Sequence, residues 1–302
     1  MAQLRHEIAH QPRFSPERLR IEAKKEKRKE RVLTFCIYAF LILASLPLII
    51  GYGWLVLNSF SETLAYGVLP KGWTIKNFRF LWELPSRYYP DLWRTTWNTL
   101  LLAVGMTVIM ILVATPTAYV ISRMKFPGRN MMLAMTLILH SFPGVTLLIS
   151  LYYVLRSLNL LNSIVGVFLV KAGLMLPLGI WIMKGFFDNV SWDVEMSGLV
   201  DGATRLQTLY KIVLPQVKPG IAAMAIFSFI NGWSEYIYVI TFIQKKESWT
   251  LSSYVNSIIG DFQFIDYGLL SATALFYILP VLLFFIFTQK YLMTVTVGGT
   301  KG

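Results

Sequence analysis

Three ionisable side chains lie in or beside long apolar stretches of this sequence: His140, Lys171 and Glu235. An ionised group in hydrocarbon costs at least about 2.5–3.5 kcal/mol on insertion scales, so each is a candidate for binding a polar solute or moving an ion. Each also lies near a proline or glycine that can interrupt a helix and turn backbone groups towards a cavity. A structural role is the alternative: Lys171 could pair with Glu235 or with an acid of a partner chain, and His140 could bond a freed carbonyl.

A second polar feature, the 188–219 segment, separates two apolar runs at 164–183 and 221–243. Apolar residues recur along it at helical spacing, at Val194, Leu199, Leu206, Leu209 and Ile212. Gly198, Asp201 and Gly202 interrupt this pattern, which therefore predicts two short helices joined by a glycine-containing turn. Such a segment is suited to lying on a membrane surface and presenting a face to a partner. An amphipathic surface helix without a partner is the alternative.

Most of the remaining chain is apolar. With 55% hydrophobic and only 15% charged residues, a chain of 302 residues is too apolar for a soluble protein. A run of about 20 apolar residues is needed to cross the hydrocarbon core. Six runs qualify: 32–57, 96–122, 130–155, 162–183, 219–243 and 267–289. The sequence predicts an all-α integral membrane protein with six transmembrane helices, the third interrupted at Phe142-Pro143-Gly144.

Positive charge orients these predicted spans. Six spans place both termini on one side, and that side carries nineteen of the 28 Lys and Arg residues, ten of them in the tail 1–31. Positive residues collect in the cytoplasm, so both termini and the 188–219 segment are expected there. The basic tail is expected to lie near anionic lipid headgroups, and no nucleic-acid partner is expected.

Residues for covalent or metal chemistry are scarce. The chain has one cysteine, Cys36, and three histidines, two of which (His6 and His10) lie in the basic tail. No cluster of nucleophile, base or metal ligands is visible, and no G-x-x-x-x-G-K-[ST] motif occurs, so ATP cannot bind in a P-loop here. We expect neither enzyme activity nor a cofactor or metal in this chain. An ion-coupled secondary transporter, with His140, Lys171 and Glu235 as a relay, is a rival interpretation.

The 188–219 segment resembles the signature loop of importer-type ATP-binding-cassette (ABC) permeases, and most closely that of the carbohydrate-importing, maltose-type family. The resemblance rests on Asp-Gly-Ala at 201–203, followed by Ile212 and Leu214-Pro215. It extends from about Gly72 to Gly302 and includes AYVISRMKFPGRN after the second span and the GGTKG terminus. One departure is that the family usually begins this motif with Glu-Ala-Ala, whereas this chain has Met-Ser-Gly at 196–198, with the acid one residue earlier.

The resemblance implies a type I ABC importer permease fold in a bacterial inner membrane, with a basic tail (1–31) before a six-span permease domain (32–302). A coupling helix in the 188–219 segment would dock into an ATPase subunit. The coupling residues would be Glu195, Met196, Ser197, Gly198, Asp201, Gly202, Ala203, Ile212, Leu214 and Pro215. Two partner ATPase subunits would bind ATP and Mg. The other partners would be a second related permease and a periplasmic or lipid-anchored solute-binding protein.

The same resemblance implies a sugar or sugar derivative as substrate. The pocket would include His140, Lys171, Gly232, Trp233 and Glu235, with the indole ring as a surface on which a sugar can stack. If Lys171 and His140 face the cavity without a carboxylate, an anionic sugar is favoured. If Glu235 pairs with Lys171, the site is near neutral and suits an ordinary sugar or polyol. Importers of polyamines, phosphate and sulfate share the loop, so a non-sugar solute is the alternative.

Overall fold

The computed structural model describes residues 16–65, 69–83, 90–259 and 266–297, without the side chains of 16–23, 65 and 291–297. Apart from one short hairpin, the regular structure of these residues is helical. The predictions for the beginning of the basic tail and for the GGTKG terminus lie outside the described residues. Two compact units divide the chain, Met1–Leu57 and Asn58–Gly302.

The first helix, α1, runs without interruption from Pro16 to Ser59. It therefore continues across position 31, where the predicted basic tail ends and the predicted first span begins. Lysine, arginine and glutamate are good helix formers, so the basic stretch can extend the helix. Its most apolar window, within Lys24–Ser59, has no buried residue in the single chain.

The hairpin follows α1 and consists of β1 (Ser61–Ala65) paired antiparallel with β2 (Leu69–Trp73). A 3₁₀ turn at Lys76–Leu81 comes next. The amide of Asn77 in this turn donates to the carbonyls of Ser59 and Ser61 at 3.0 and 2.9 Å. These bonds anchor the 3₁₀ turn beside the first strand.

Four long helices form the centre of the second unit, at α2 (Leu92–Arg123), α5 (Ile164–Asp188), α9 (Lys218–Trp233) and α12 (Tyr267–Val297). Helix α2 packs along both α5 and α9, and α12 packs on α9. At Gly232 a Cβ atom would lie 2.7 Å from the Cα of Ala103, so a glycine is what allows α9 to approach α2 this closely. Side-chain caps at Asp91 and Ser163 accept backbone N–H groups and begin α2 and α5.

Two pairs of consecutive helices meet at a sharp bend. Helices α3 (Arg129–Ser141) and α4 (Leu148–Ser157) meet at 87°, with a 3₁₀ turn at Gly144–Leu147 between them, so the interruption predicted at Phe142-Pro143-Gly144 is confirmed. A second bend of 74° lies between Arg205–Gln216 and α9. Within the described residues, four helices are long and apolar enough to cross a membrane, or up to six spans if each bent pair counts as one.

The fifth predicted span, 219–243, is not one continuous helix. Helix α9 ends at Trp233, and a separate short helix, α10, covers Ile237–Phe242. The carboxylate of Glu235 accepts a hydrogen bond from the backbone N–H of Tyr238 at 2.9 Å, which caps the beginning of α10. A 3₁₀ turn (Lys246–Ser248) and helix α11 (Leu251–Ile259) follow before α12.

The 188–219 segment contains the two short helices that its pattern predicts. Helix α6 covers Trp192–Val200 and helix α7 covers Arg205–Thr208. A π-helical turn at Leu209–Val213 and a last short helix, α8 (Leu214–Gln216), lead to the bend before α9. Gly198 of α6 lies directly against the side chain of Ile212, and a Cβ there would overlap it. The two arms of the segment therefore pack on each other.

Candidate functional site

The turn of the 188–219 segment is a Schellman motif built on Asp201, Gly202 and Ala203. Gly202 has φ +89°, which favours glycine because a side chain would be strained there. Its N–H donates to the Leu199 carbonyl at 3.1 Å, and the N–H of Ala203 donates to the Gly198 carbonyl at 3.1 Å. The Asp-Gly-Ala triplet thus ends α6 and reverses the chain.

A capping box begins the next helix immediately after this turn. The Thr204 hydroxyl accepts from the backbone N–H of Gln207 at 3.2 Å, and the Gln207 side chain accepts from the backbone N–H of Thr204 at 2.9 Å. The end of α6, the left-handed glycine and the start of α7 therefore lie within a few residues of one another. This gives the segment a fixed protruding tip.

Apolar side chains are exposed around this tip. Val200 is 86% exposed, Leu206 65% and Tyr210 61%. Of the residues at helical spacing in this part of the chain, Leu209 is buried whereas Leu206 is exposed. Exposed apolar side chains grouped on a polar segment are typical of a protein-binding surface.

The predicted coupling residues are distributed between the surface and the interior. Ser197, Asp201, Gly202 and Pro215 are exposed, and four are partly buried: Met196, Ala203, Ile212 and Leu214. Gly198 is buried against Ile212. The carboxylate of Glu195 is buried as well. It accepts a hydrogen bond from the Tyr119 hydroxyl at 2.7 Å and lies 3.1 Å from Nε of Arg123, so it faces its own chain and not the exposed tip.

A second buried ion pair joins two of the predicted substrate residues. Lys171 Nζ lies 2.6 Å from a carboxylate oxygen of Glu235, and both side chains are largely buried. The other oxygen of Glu235 caps α10. The ammonium group of Lys171 also lies 4.8 Å from the ring centroid of Tyr238. Of the two alternatives for Lys171, a pair with Glu235 or a lysine that faces the cavity without a carboxylate, the structure has the pair with Glu235.

Gly232 and Trp233 take part in helix packing. The Trp233 ring is 2% exposed, stacks on Phe229 at a centroid distance of 5.7 Å, and donates its indole N–H to the Tyr277 carbonyl at 3.1 Å. It has no free face for a sugar ring, so the stacking interpretation does not fit this arrangement. Gly232 is buried against Ala103. His140, by contrast, is exposed in the last turn of α3, directly before the bend.

Two polar residues near the end of α9 were not among the predicted site residues. Ser234 is exposed and Asn231 is half-buried, and their spacing of three places them on one face of the helix. Their side chains bond only to carbonyls of their own helix, those of Ile230 and Phe227, among the contacts of the described residues. Polar side chains within an apolar helix are a signal for a solute path, and the i, i+3 spacing could have revealed them.

Comparisons with known proteins agree with this arrangement. Residues 111–292 match the family described as binding-protein-dependent transport system inner membrane component. The chain is 27% identical over 273 residues to the diacetylchitobiose uptake system permease protein of Streptomyces coelicolor, covering 87% of each chain. It is 32% identical over 206 residues to the sulfoquinovosyl glycerol transport system permease protein of Agrobacterium fabrum, covering 68% of this chain and 72% of the relative.

Among solved structures, a chain of a bacterial ABC transporter involved in the import of the acidic polysaccharide alginate has the same fold. The TM-score is 0.72 at 21% sequence identity, over 87% of this chain and 98% of that one. The fold is that of a type I ABC importer permease. The family match covers more than half of the sequence and contains the Asp-Gly-Ala turn. The chain therefore belongs to the family of inner-membrane components of binding-protein-dependent transport systems.

Proposed function

We propose that this chain is one permease subunit of an ATP-driven, binding-protein-dependent importer of a sugar or sugar derivative. The observation that carries the proposal is the Schellman turn at Gly202 with the exposed Val200, Leu206 and Tyr210 around it. A rigid, protruding apolar tip on an otherwise polar segment suits a docking contact. An ion-coupled transporter has no use for such a tip. The sugar assignment draws on relatives whose names specify diacetylchitobiose and sulfoquinovosyl glycerol.

The proposed assembly contains a second, related permease, two ATPase subunits, and a periplasmic or lipid-anchored binding protein that delivers the solute. A solved alginate ABC transporter in complex with a pentasaccharide-bound periplasmic protein, similar in fold to this chain, supports such an arrangement. Both termini and the 188–219 segment would be cytoplasmic, as the distribution of Lys and Arg predicts. ATP and Mg would be bound by the ATPase subunits, since the sequence has no P-loop motif.

Mechanically, ATP-driven closure of the two ATPase subunits would move the tip of the 188–219 segment. The helices packed on the segment would follow and change the access of the solute path from the cytoplasmic to the outer side. ATP hydrolysis would then reset them. In this scheme the chain itself performs no covalent chemistry.

The Lys171–Glu235 pair bears on the type of substrate. Because the two charges neutralise each other at 2.6 Å, this region offers no net positive charge to an anionic sugar. An uncharged sugar or polyol, held by hydroxyl and amide groups such as those of Ser234 and Asn231, fits this environment better. An acidic group on the substrate would then be recognised by another subunit.

The test is uptake into proteoliposomes that contain the purified assembly. Tagged chain is isolated in mild detergent, its partners are identified by mass spectrometry, and the complex is reconstituted with the binding protein and labelled sugars. We expect uptake that requires ATP inside the liposomes and the loaded binding protein outside them. Uptake driven by an ion gradient without ATP, by a chain that purifies alone, would contradict the proposal and favour a secondary transporter.

A further inference from the structure

Arg123, the last residue of α2, connects three elements through one guanidinium group. Its Nη2 atom donates to the carbonyl oxygen of Phe187 at 2.7 Å and to that of Val190 at 2.6 Å. These carbonyls belong to the end of α5 and to the short link before α6. The last carbonyls of a helix have no partner within the helix, so Arg123 caps the C-terminal end of α5 from the neighbouring helix.

The same guanidinium also holds the helix that leads to the exposed tip. Its Nε atom lies 3.1 Å from Oε2 of Glu195 on α6, and its centre lies 5.3 Å from the centroid of the Trp192 ring. The other carboxylate oxygen of Glu195 accepts a hydrogen bond from the Tyr119 hydroxyl at 2.7 Å. Tyr119 is one turn before Arg123, so both side chains extend from the same face of α2. Together they contact one carboxylate on α6, Tyr119 by a hydrogen bond and Arg123 by an ion pair.

Burial makes this contact sensitive to change. The side chains of Arg123 and Glu195 are 7% and 3% exposed. Nε of Arg123 and Oε2 of Glu195 have no hydrogen-bond partner in the described part of the chain, so the charge at these two atoms is compensated by their ion pair. Removing one member of a buried ion pair leaves the other charge uncompensated. The pair therefore resists any separation of α6 from α2.

A nearby ion pair lacks these features. Lys184 Nζ and Asp188 Oδ2 are 2.5 Å apart, but both residues are on α5 and one turn apart, and the carboxylate side chain is 43% exposed. This pair is close to Arg123 in the fold, since Asp188 also accepts from the hydroxyl of Ser122, the residue before Arg123. It makes no contact with α6 among the described contacts, and it is a matched control.

We propose that Arg123 and Glu195, with Tyr119, form the rigid joint through which movement of the 188–219 segment reaches the transmembrane helices. Arg123 and Glu195 are positioning residues: they touch neither solute nor ATP, and they keep α6 fixed to the ends of α2 and α5. Without the joint, the tip still docks but its displacement is taken up by local movement of α6. The inference rests on the proposed function, because it presupposes that the tip contacts an ATPase.

The experiment measures solute molecules transported per ATP hydrolysed by the complete assembly in proteoliposomes. The variants are Glu195→Gln, Arg123→Gln, their double combination, Tyr119→Phe and, as a control, Lys184→Gln. Substitutions along a coupling route typically shift the coupling by about 2- to 30-fold, and we expect Glu195→Gln and Arg123→Gln to lower the transport ratio within this range, with Tyr119→Phe at its lower end. Lys184→Gln is expected to keep the wild-type ratio. The amount of each assembled complex is measured in parallel.

The double variant of Arg123 and Glu195 distinguishes two hypotheses: the two residues act as one joint, or each has an independent structural role. If Arg123 and Glu195 act as one unit, the double variant loses no more than the worse single variant, whereas independent effects would multiply. Tyr119→Phe deletes a single hydroxyl and keeps the packing against Phe187. It can therefore test the inference if a variant of Arg123 or Glu195 fails to assemble.

Wild-type transport ratios in assembled Glu195→Gln and Tyr119→Phe complexes would overturn the inference, as would multiplied losses in the double variant. Failure of the proposed function itself gives a different result. In that case the wild-type assembly shows no ATP-dependent uptake at all, whatever the variants do.

Discussion

Two buried ion pairs in this molecule, Arg123–Glu195 and Lys171–Glu235, use the same chemistry in different surroundings. Both join a basic residue on one helix to a carboxylate on another element, with contact distances of 3.1 and 2.6 Å. In each pair the carboxylate also accepts a hydrogen bond, from the Tyr119 hydroxyl in one and from the backbone N–H of Tyr238 in the other. The first pair lies behind an exposed apolar tip, and the second lies at a break between two helices of an apolar run.

The difference teaches that buried ion pairs of the same chemistry can have different structural consequences. The Arg123–Glu195 pair adds two carbonyl contacts and an aromatic contact, which suits a joint that transmits movement. The Lys171–Glu235 pair instead stabilises an interrupted helix, because one carboxylate both neutralises a lysine and caps α10. A mutation at either pair should therefore have its own characteristic effect, on coupling in the first case and on stability in the second.

The largest effect is expected at the tip that the first pair supports. Gly202→Arg should abolish uptake and leave membrane insertion intact, because it forces a large charged side chain into a left-handed position at the docking surface. Uptake and the amount of protein in the membrane are the measurements. Gly202→Ala is the control: it carries the backbone strain of roughly 1–2 kcal/mol without bulk or charge, so it should retain part of the uptake. Normal uptake by Gly202→Arg would remove the docking role.

Lys171→Ala tests the second pair. It leaves Glu235 buried without its counter-charge, and breaking a buried pair in this way typically costs about 3–5 kcal/mol of stability. We expect a lower midpoint of thermal unfolding in detergent and an altered apparent affinity for the solute. The double variant Lys171→Met with Glu235→Gln should recover most of the stability. An unchanged uptake profile in Lys171→Ala would place this lysine away from the solute path.

A smaller effect is expected at Trp233, which lies two residues before Glu235. Trp233→Phe removes the indole hydrogen bond to the Tyr277 carbonyl but keeps an aromatic ring on Phe229. The expected loss of stability is about 1 kcal/mol, and the KM for uptake should stay at the wild-type value. A rise in KM without a loss of stability would restore the stacking interpretation. Ser234→Ala on the exposed face is the matched contrast, with raised KM and unchanged stability.

The smallest effect is expected at Lys184, whose partner Asp188 has a side chain that is 43% exposed. Exposed ion pairs within a helix contribute about 0.3–0.5 kcal/mol. Lys184→Gln should therefore leave the midpoint of thermal unfolding almost unchanged, and raising the salt concentration should make the variant and the wild type indistinguishable. A large loss of stability in this variant would mean that the loss depends on where the ion pair lies on α5 and not on how deeply the pair is buried.

What the sequence predicts correctly is local in origin. The Asp-Gly-Ala turn requires a glycine at φ +89°, and the third-span interruption follows from proline and glycine in an apolar run. Both are decided by the backbone preferences of a few adjacent residues. The apolar runs likewise identify a membrane protein because their length and composition need no tertiary information.

What the sequence does not predict depends on residues far apart in the chain. The break after Trp233 has no proline, and the cap that Glu235 provides for α10 is visible only in the folded chain. Pairing of Lys171 with Glu235 was one of two alternatives, and only tertiary structure selects it. Arg123 lies in a short basic turn, where a solvated positive charge is ordinary, so nothing in its local sequence indicates that two carbonyls and a carboxylate surround it.

Copurification from membranes tests most directly whether the exposed tip of the 188–219 segment docks an ATPase. Tagged wild-type chain and the Gly202→Arg variant are solubilised in mild detergent, and the proteins retained with each are identified and quantified by mass spectrometry. We predict that the wild type retains a second permease and a P-loop ATPase in stoichiometric amount, and that Gly202→Arg retains the permease but loses the ATPase. Full retention of the ATPase by Gly202→Arg, or its absence from the wild type, would contradict the account.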